Sequence, residues 1–278
     1  VSEATRNLSN LQLRVISAVV LAVVVLAITW LGGAPFRLLA CLIGAAILFE
    51  WCAMSSRVSG GGNRTIAAAG LAIALIPMAM GASAILSHAI LVLVVIATAL
   101  HALATRTSSW AAGGLAYAGL SALSLAYLRD SDTAGLIAIL FLFAVVWATD
   151  ILAYFVGRAI GGPKLAPAIS PGKTQSGALG GAVGGVAAGL AIALAAVISN
   201  LPAIALVAFV LSIVSQAGDL FESWIKRRHG VKDSGSIIPG HGGVMDRVDG
   251  LVAAAFALYV LGALLGGMET PAHGLFGR

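Results

Sequence analysis

Long apolar stretches alternate with short polar breaks along this chain, and the stretches exceed what a soluble core needs. About 20 apolar residues in a helix cross the ~30 Å of hydrocarbon in a bilayer. Nine stretches of that kind stand at roughly 13–31, 36–54, 66–82, 84–104, 111–128, 134–157, 176–198, 201–221 and 248–267. Runs of two-residue alternation are scarce, which argues against an outer-membrane barrel. The pattern predicts an all-α polytopic membrane protein with about nine transmembrane helices. The first stretch resembles a signal-peptide core but lacks a convincing small-residue cleavage site and ends on Trp30, so it reads as an uncleaved span. The third contains Pro77, where a kink is expected.

Composition agrees with this pattern. Of 278 residues, 60% are hydrophobic and 10% charged, against about 25% charged in a soluble domain, so a water-soluble globule is excluded. Cys41 and Cys52 lie in one apolar segment; in a helix about 16 Å of rise separates them, so they read as packing residues. The net charge of +5 calls for no nucleic-acid partner, because basic residues concentrate in cytoplasmic loops. With a cytoplasmic N-terminus, nine spans put thirteen basic residues inside and three (Arg37, Arg129, Arg278) outside. The same topology brings the two longest polar loops, about 158–175 and 222–247, to the inner face. The chain thus divides into N-terminal spans (1–133, about five helices) and a region 134–278 that carries the polar loops, with 158–175 and 219–249 as its distinctive segments. Gly177, Gly181, Gly185 and Gly189 form a small-residue ridge on the seventh helix, suited to helix packing or a dimer seam.

Six of the eleven acids are Asp150, Asp219, Glu222, Asp233, Asp246 and Asp249. Ionisable groups at membrane depth cost about 2.5–3.5 kcal/mol on insertion scales and usually mark a site or pathway. If the eighth helix continues past the membrane surface, Asp219, Glu222, Ser223, Lys226 and Arg227 share one face. Asp246 and Asp249 are three apart at the mouth of the ninth helix. Between the eighth and ninth helices lies Pro239-Gly240-His241-Gly242-Gly243, a turn whose N–H groups could cradle phosphate. Clustered carboxylates without thiolates suit Mg²⁺, and the layout suggests metal-assisted phosphoryl or nucleotidyl transfer at a membrane surface. Gly172-Lys173-Thr174 is not a P-loop, since Pro167 occupies the position of the required glycine and no strand is expected before it. Lys173 and Thr174 can still bind phosphate at the start of the seventh helix. Asp150 reads as a cavity-lining acid below the surface and His241 as a phosphate contact or a loop hydrogen bonder. His229 reads as a surface residue, His88 and His101 as structural, and Glu50 as a partner of Arg57 or Arg106 without chemistry.

Ser223-Trp-Ile-Lys226-Arg227, Lys232-Asp233 and Pro239-Gly240-His241-Gly242-Gly243-Val-Met-Asp246-Arg247-Val-Asp249 together resemble the signature of the phosphatidate cytidylyltransferases, the CDP-diacylglycerol synthases. The stretch from Asp150 to Thr174 and the run Gly218-Asp219-Leu220 with Glu222-Ser223 are similar to the same family; together the matching segments cover about residues 150–250. The resemblance implies a reaction in which CTP and phosphatidic acid give CDP-diacylglycerol and pyrophosphate with Mg²⁺. It also implies a multi-pass enzyme of the bacterial inner membrane, a homodimer, with its active site facing the cytoplasm. On this reading Asp219, Asp246 and Asp249 are catalytic metal ligands, with a second, monovalent cation left open, and Lys226 is catalytic. Lys173, Thr174, Ser223, Arg227, Lys232, His241, Arg247 and Asp150 contact substrate. A cavity open sideways to the bilayer is expected, so that lipid enters from the leaflet and CTP from water. Two other readings compete: a CTP-dependent lipid or polyprenol kinase, which would need a general base, and an anion transporter, which would need paired repeats.

Overall fold

The computed structural model describes residues 10–55, 62–130, 132–238 and 242–277, and of residues 10–18 and 62 the backbone alone. The elements are α1 (Asn10–Leu31), α2 (Gly33–Ser55), α3 (Gly62–Ala79), α4 (Ala84–Ala104), α5 (Trp110–Arg129), α6 (Thr133–Ile160), β1 (Lys164–Ala166), β2 (Ser170–Thr174), α7 (Gln175–Ala195), α8 (Leu201–Arg228), α9 (Met245–Gly266) and the short α10 (His273–Phe276). Each helix from α1 to α9 falls on one of the predicted apolar stretches. Among the described residues seven of them (α2 and α4 to α9) are long and apolar enough to cross a membrane, while the described apolar parts of α1 and α3, Val19–Leu31 and Asn63–Ala79, are shorter. Helix starts are set by side-chain caps. Ser83, Asp132, Thr174 and Asn200 accept N–H groups of α4, α6, α7 and α8 respectively.

Side-chain size explains the packing. α5 is the central helix, contacted by α2, α3, α4, α6 and α9, and its Gly, Ala and Ser residues let those neighbours approach. The glycine ridge of α7 serves the tight contact with α6 inside the chain. A Cβ at Gly177 would stand 2.6 Å from the Ala153 carbonyl oxygen, and one at Gly181 2.7 Å from that of Thr149. This bears out the helix-packing reading of the ridge. Leu42, Ile73, Leu93, Ile96, Leu179, Val183 and Leu206 face outward, each at least half exposed, as a lipid-facing belt requires.

Four features differ from the sequence expectation. The loop at 158–175 is partly ordered: α6 runs on to Ile160, and β1 and β2 pair antiparallel, Lys164 opposite Thr174 and Ala166 opposite Ser170. The all-α expectation therefore gains a small hairpin, short enough to escape a periodicity argument. α8 extends to Arg228 because Glu222 and Ile225 are buried against the rest of the bundle. Pro77 lies in the last turn of α3, two residues before its end, so it closes the helix where a kink was expected. Finally, α10 packs against α9 and α6, with Phe276 buried on Phe141.

Candidate active site

A cavity of about 580 Å³ opens between α6, the β-hairpin, α7 and α8. α6 supplies Asp150, Tyr154 and Arg158 from one face, since these positions are four residues apart. The hairpin supplies Lys164 and Lys173, and α8 supplies Gln216 and Asp219. Lys173 Nζ lies 2.5 Å from Asp219 Oδ2, and the Ser223 hydroxyl donates to Asp219 Oδ1 at 3.4 Å one turn further on. The Arg158 guanidinium donates to the Tyr154 hydroxyl at 3.1 Å. Asp249 of α9 is close enough to Asp219 and Asp150 for the three carboxylates to repel one another. The cavity therefore combines cations with the carboxylates of Asp150 and Asp219, and Asp249 adds negative charge beside it.

Beside it, a second network fixes the segment between α8 and α9. Lys226 Nζ bridges Asp246 Oδ1 at 2.7 Å and Glu222 Oε1 at 3.1 Å. The other oxygen of Asp246 accepts the main-chain N–H groups of Ser234 and Gly243, both at 2.9 Å. Glu50 on α2, only 1% exposed, accepts Val244 N–H at 2.8 Å, Met245 N–H at 2.8 Å and the Ser234 hydroxyl at 2.9 Å. Its carboxylate sits at the N-terminus of α9, where unpaired N–H groups and the helix dipole favour negative charge. Gly243 leaves no room for a side chain there: a Cβ would stand 2.5 Å from Glu50 Oε2.

The expected site residues divide accordingly. Lys173, Asp219 and Asp150 line the cavity, and Ser223 touches Asp219. Thr174 also lines it, but its hydroxyl caps α7 by accepting Gly177 N–H at 3.1 Å, so its side chain orders the helix start. Arg227 joins the loops by donating to the carbonyl oxygens of Ile169 at 3.4 Å and Val231 at 3.2 Å. Lys232 and Arg247 are exposed, Arg247 at the rim of a separate apolar pocket. His241 lies outside the described residues. His229 is buried rather than on the surface, set edge-on against Trp110 at 4.8 Å; burial, with Arg228 beside it, holds its imidazole below the usual range. Sequence reasoning missed Glu50, whose spacing from the loop in the chain hides the contact, and Gln216, whose amide donates to the Ala178 carbonyl across the cavity at 3.3 Å.

Asp219, Asp246 and Asp249 do not form one ligand cluster. Among the described residues, the one group of three ligand side chains with atoms mutually within 4.8 Å is Asp130, Asp132 and His273, at the other end of the bundle. Asp246 is engaged by Lys226 and two N–H groups. Asp150, Asp219 and Asp249 do not form such a cluster either, and Asp219 is paired with Lys173; their carboxylate oxygens are the kind of donor that a hard cation such as Mg²⁺ takes.

The model of the cytidylyltransferase family matches residues 12–265. A phosphatidate cytidylyltransferase of Brucella suis is 48% identical over 267 residues, covering 95% of this chain and 97% of the relative. One from Brucella abortus is 49% identical over 260 residues, 92% and 95% of the two chains. A Staphylococcus haemolyticus protein of the same name is 31% identical over 263 residues, 92% and 99%. With the family model spanning nearly all of the sequence and relatives matched end to end, this chain belongs to the cytidylyltransferase family.

Proposed function

We propose that this protein transfers the cytidylyl group of CTP to phosphatidic acid, giving CDP-diacylglycerol and pyrophosphate for phospholipid synthesis. The observation that carries this reading is the cavity at the polar end of an apolar helix bundle, where Lys173, Lys164 and Arg158 stand beside Asp150 and Asp219. Such a site suits a polyphosphate from water and a lipid phosphate from the leaflet. A phosphate oxygen of phosphatidate bonds to the α-phosphorus of CTP as the bond from that phosphorus to the pyrophosphate oxygen breaks. The nucleophile is already an anion, so no strong general base is needed, and charge placement does most of the work.

Lys173 and Arg158 bind the triphosphate, and Ser223 orients Asp219. Lys226 and Asp246 hold Ser234 and Gly243 beside the site. Asp219 and Asp249, with Asp150 beside them, would hold Mg²⁺, which supplies neutralisation of the phosphate charge. All nine long helices span the inner membrane, with the N-terminus and the site on the cytoplasmic side, in keeping with the thirteen-to-three distribution of basic residues. The active form is a homodimer.

The test uses purified protein, labelled CTP and either phosphatidate or a polyprenol in mixed micelles. A Mg²⁺-dependent CDP-lipid with stoichiometric pyrophosphate supports the reading; a phosphorylated polyprenol with CDP as by-product would replace it with the kinase reading. Asp219→Asn should lower kcat by at least 100-fold, and near-wild-type turnover would overturn its role.

A further inference from the structure

A second pocket, about 320 Å³, lies between α1, α2, α5, α6 and α9, within the 300–1,000 Å³ usual for small-molecule sites. Its walls are apolar: Val25 of α1, Ile43 of α2, Leu251 of α9, and Phe143 with Trp147 of α6, whose rings stack at 5.1 Å. Arg247, exposed at the N-terminal turn of α9, is the one charged residue on its rim. A closed bundle would fill such a space with side chains.

The pocket adjoins the active-site cavity along one helix face. Phe143, Trp147, Asp150, Tyr154 and Gly157 are spaced four, three, four and three, so they form one stripe of α6. The first two line the apolar pocket and the last three the polar cavity. Trp147 precedes Asp150 by about 4.5 Å of rise. α9 is likewise shared: Arg247, Val248 and Leu251 face the apolar pocket, while Asp249 interacts with Asp219 and Asp150. An amphiphile with an anionic head and a long hydrocarbon tail matches this succession of surfaces.

We propose that this pocket receives an acyl chain of the lipid substrate, with Arg247 at its mouth and the cations of the neighbouring cavity, Lys173, Lys164 and Arg158, attracting the lipid phosphate. The inference rests on the lipid-cytidylyltransferase reading above and adds where the tail lies. α1 is the outer wall, and its Val20, Val23 and Val24 face the bilayer, so the pocket borders the lipid phase from which a tail would slide in. Ala22 on its inner side is the smallest lining residue and leaves the space open.

The experiment compares dioleoyl with dioctanoyl phosphatidate in mixed micelles, using the full chain and the variants Ala22→Trp and Val25→Trp. Filling the pocket should lower the ratio of kcat/KM for the long chain to that for the short chain by tenfold or more. An unchanged ratio in both variants would overturn the pocket's role. As a readout independent of variant folding, a diazirine at the tail end of phosphatidate should label wild-type peptides of α1, α6 or α9; labelling confined to α3 and α4 would also overturn it. Failure of the underlying activity is distinct, because wild-type protein would then yield no CDP-lipid from either phosphatidate.

Discussion

Replacing Glu50 by Gln tests whether a buried carboxylate far from the signature segment holds that segment in place. The carboxylate accepts three hydrogen bonds, from Val244 N–H, Met245 N–H and the Ser234 hydroxyl. An amide of the same shape offers one acceptor oxygen and one NH₂. In either orientation the NH₂ faces a main-chain N–H of the first turn of α9, so one donor is orphaned. A hydrogen bond to a charged group contributes about 1.5–3 kcal/mol, and the lost charge at the helix N-terminus about 0.3–1 kcal/mol more. The local destabilisation is therefore about 2–4 kcal/mol. At 1.4 kcal/mol per factor of ten, opening of the segment becomes about 30- to 700-fold more frequent.

Hydrogen exchange followed by mass spectrometry in detergent reads this directly. Peptides covering 242–250 should exchange faster in Glu50→Gln, while those of the α6–α7 contact keep their wild-type rate. Turnover should fall with the loss of order, because Asp246 accepts Ser234 and Gly243 N–H from the same loop. Unchanged exchange in 242–250 would refute the argument, whatever the activity.

Two further perturbations probe the scaffold. Gly181→Leu forces a side chain into the α6 backbone, where even a Cβ would stand 2.7 Å from the Thr149 carbonyl oxygen; overpacking of this kind costs about 1–3 kcal/mol, and the variant should lose folded yield and thermal stability, while Leu at exposed Val183 on the same helix should not. At the opposite end, burial pushes the Asp132 carboxyl up, but the Gly135 N–H and His273 outweigh it and hold it below the usual carboxylate range. A lowered pKa stabilises the fold above the unfolded value near ~3.9, and the contribution disappears as pH falls through the lower folded value. Asp132→Asn keeps the helix cap but loses the carboxylate that accepts from the Gly135 N–H and contacts His273 Nε2. Its Tm deficit should be present at neutral pH and close below about pH 4; a deficit constant across that range would refute the linkage.

The helices were legible because a bilayer imposes one requirement on each, an apolar length, and that requirement is written locally. All nine apolar stretches became helices for this reason. The acids of 219–249 were legible as a group because charge is rare in such a chain and its clustering is visible by position. Their division of labour was not legible. Asp246 and Asp249 share a spacing that suits one helix face, yet Asp246 turns to Lys226 and the loop while Asp249 stands near Asp219 and Asp150. Which neighbour each meets depends on where α2, α6 and α8 lie around α9, and tertiary placement leaves no local trace. Glu50 illustrates the limit: its partners are 184 to 195 residues away, and nearby arginines in the chain offered a simpler pairing.

That division has a physical consequence for how the site is maintained. Three carboxylates close enough to repel one another favour separation, so the cavity needs an opposing constraint. The described structure supplies it in two places. Lys173 pairs with Asp219 from the hairpin side, and the hairpin is pinned because its last residue, Thr174, caps α7, whose glycines press that helix onto α6. On the other side Lys226 joins α8 to α9 through Glu222 and Asp246, and Glu50 ties the same helix start to α2. Breaking a buried ion pair by removing one partner costs about 3–5 kcal/mol; the Lys226 ties are buried in this way, the Lys173–Asp219 pair, 29% and 31% exposed, contributes less, and together they oppose the repulsion among Asp150, Asp219 and Asp249. Concentrated negative charge attracts a metal cation, and Lys173, Lys164 and Arg158 beside it offer the positive charge that a polyphosphate takes. The acids that order the loop and the acids that face the cavity therefore serve the same electrostatic end by different means.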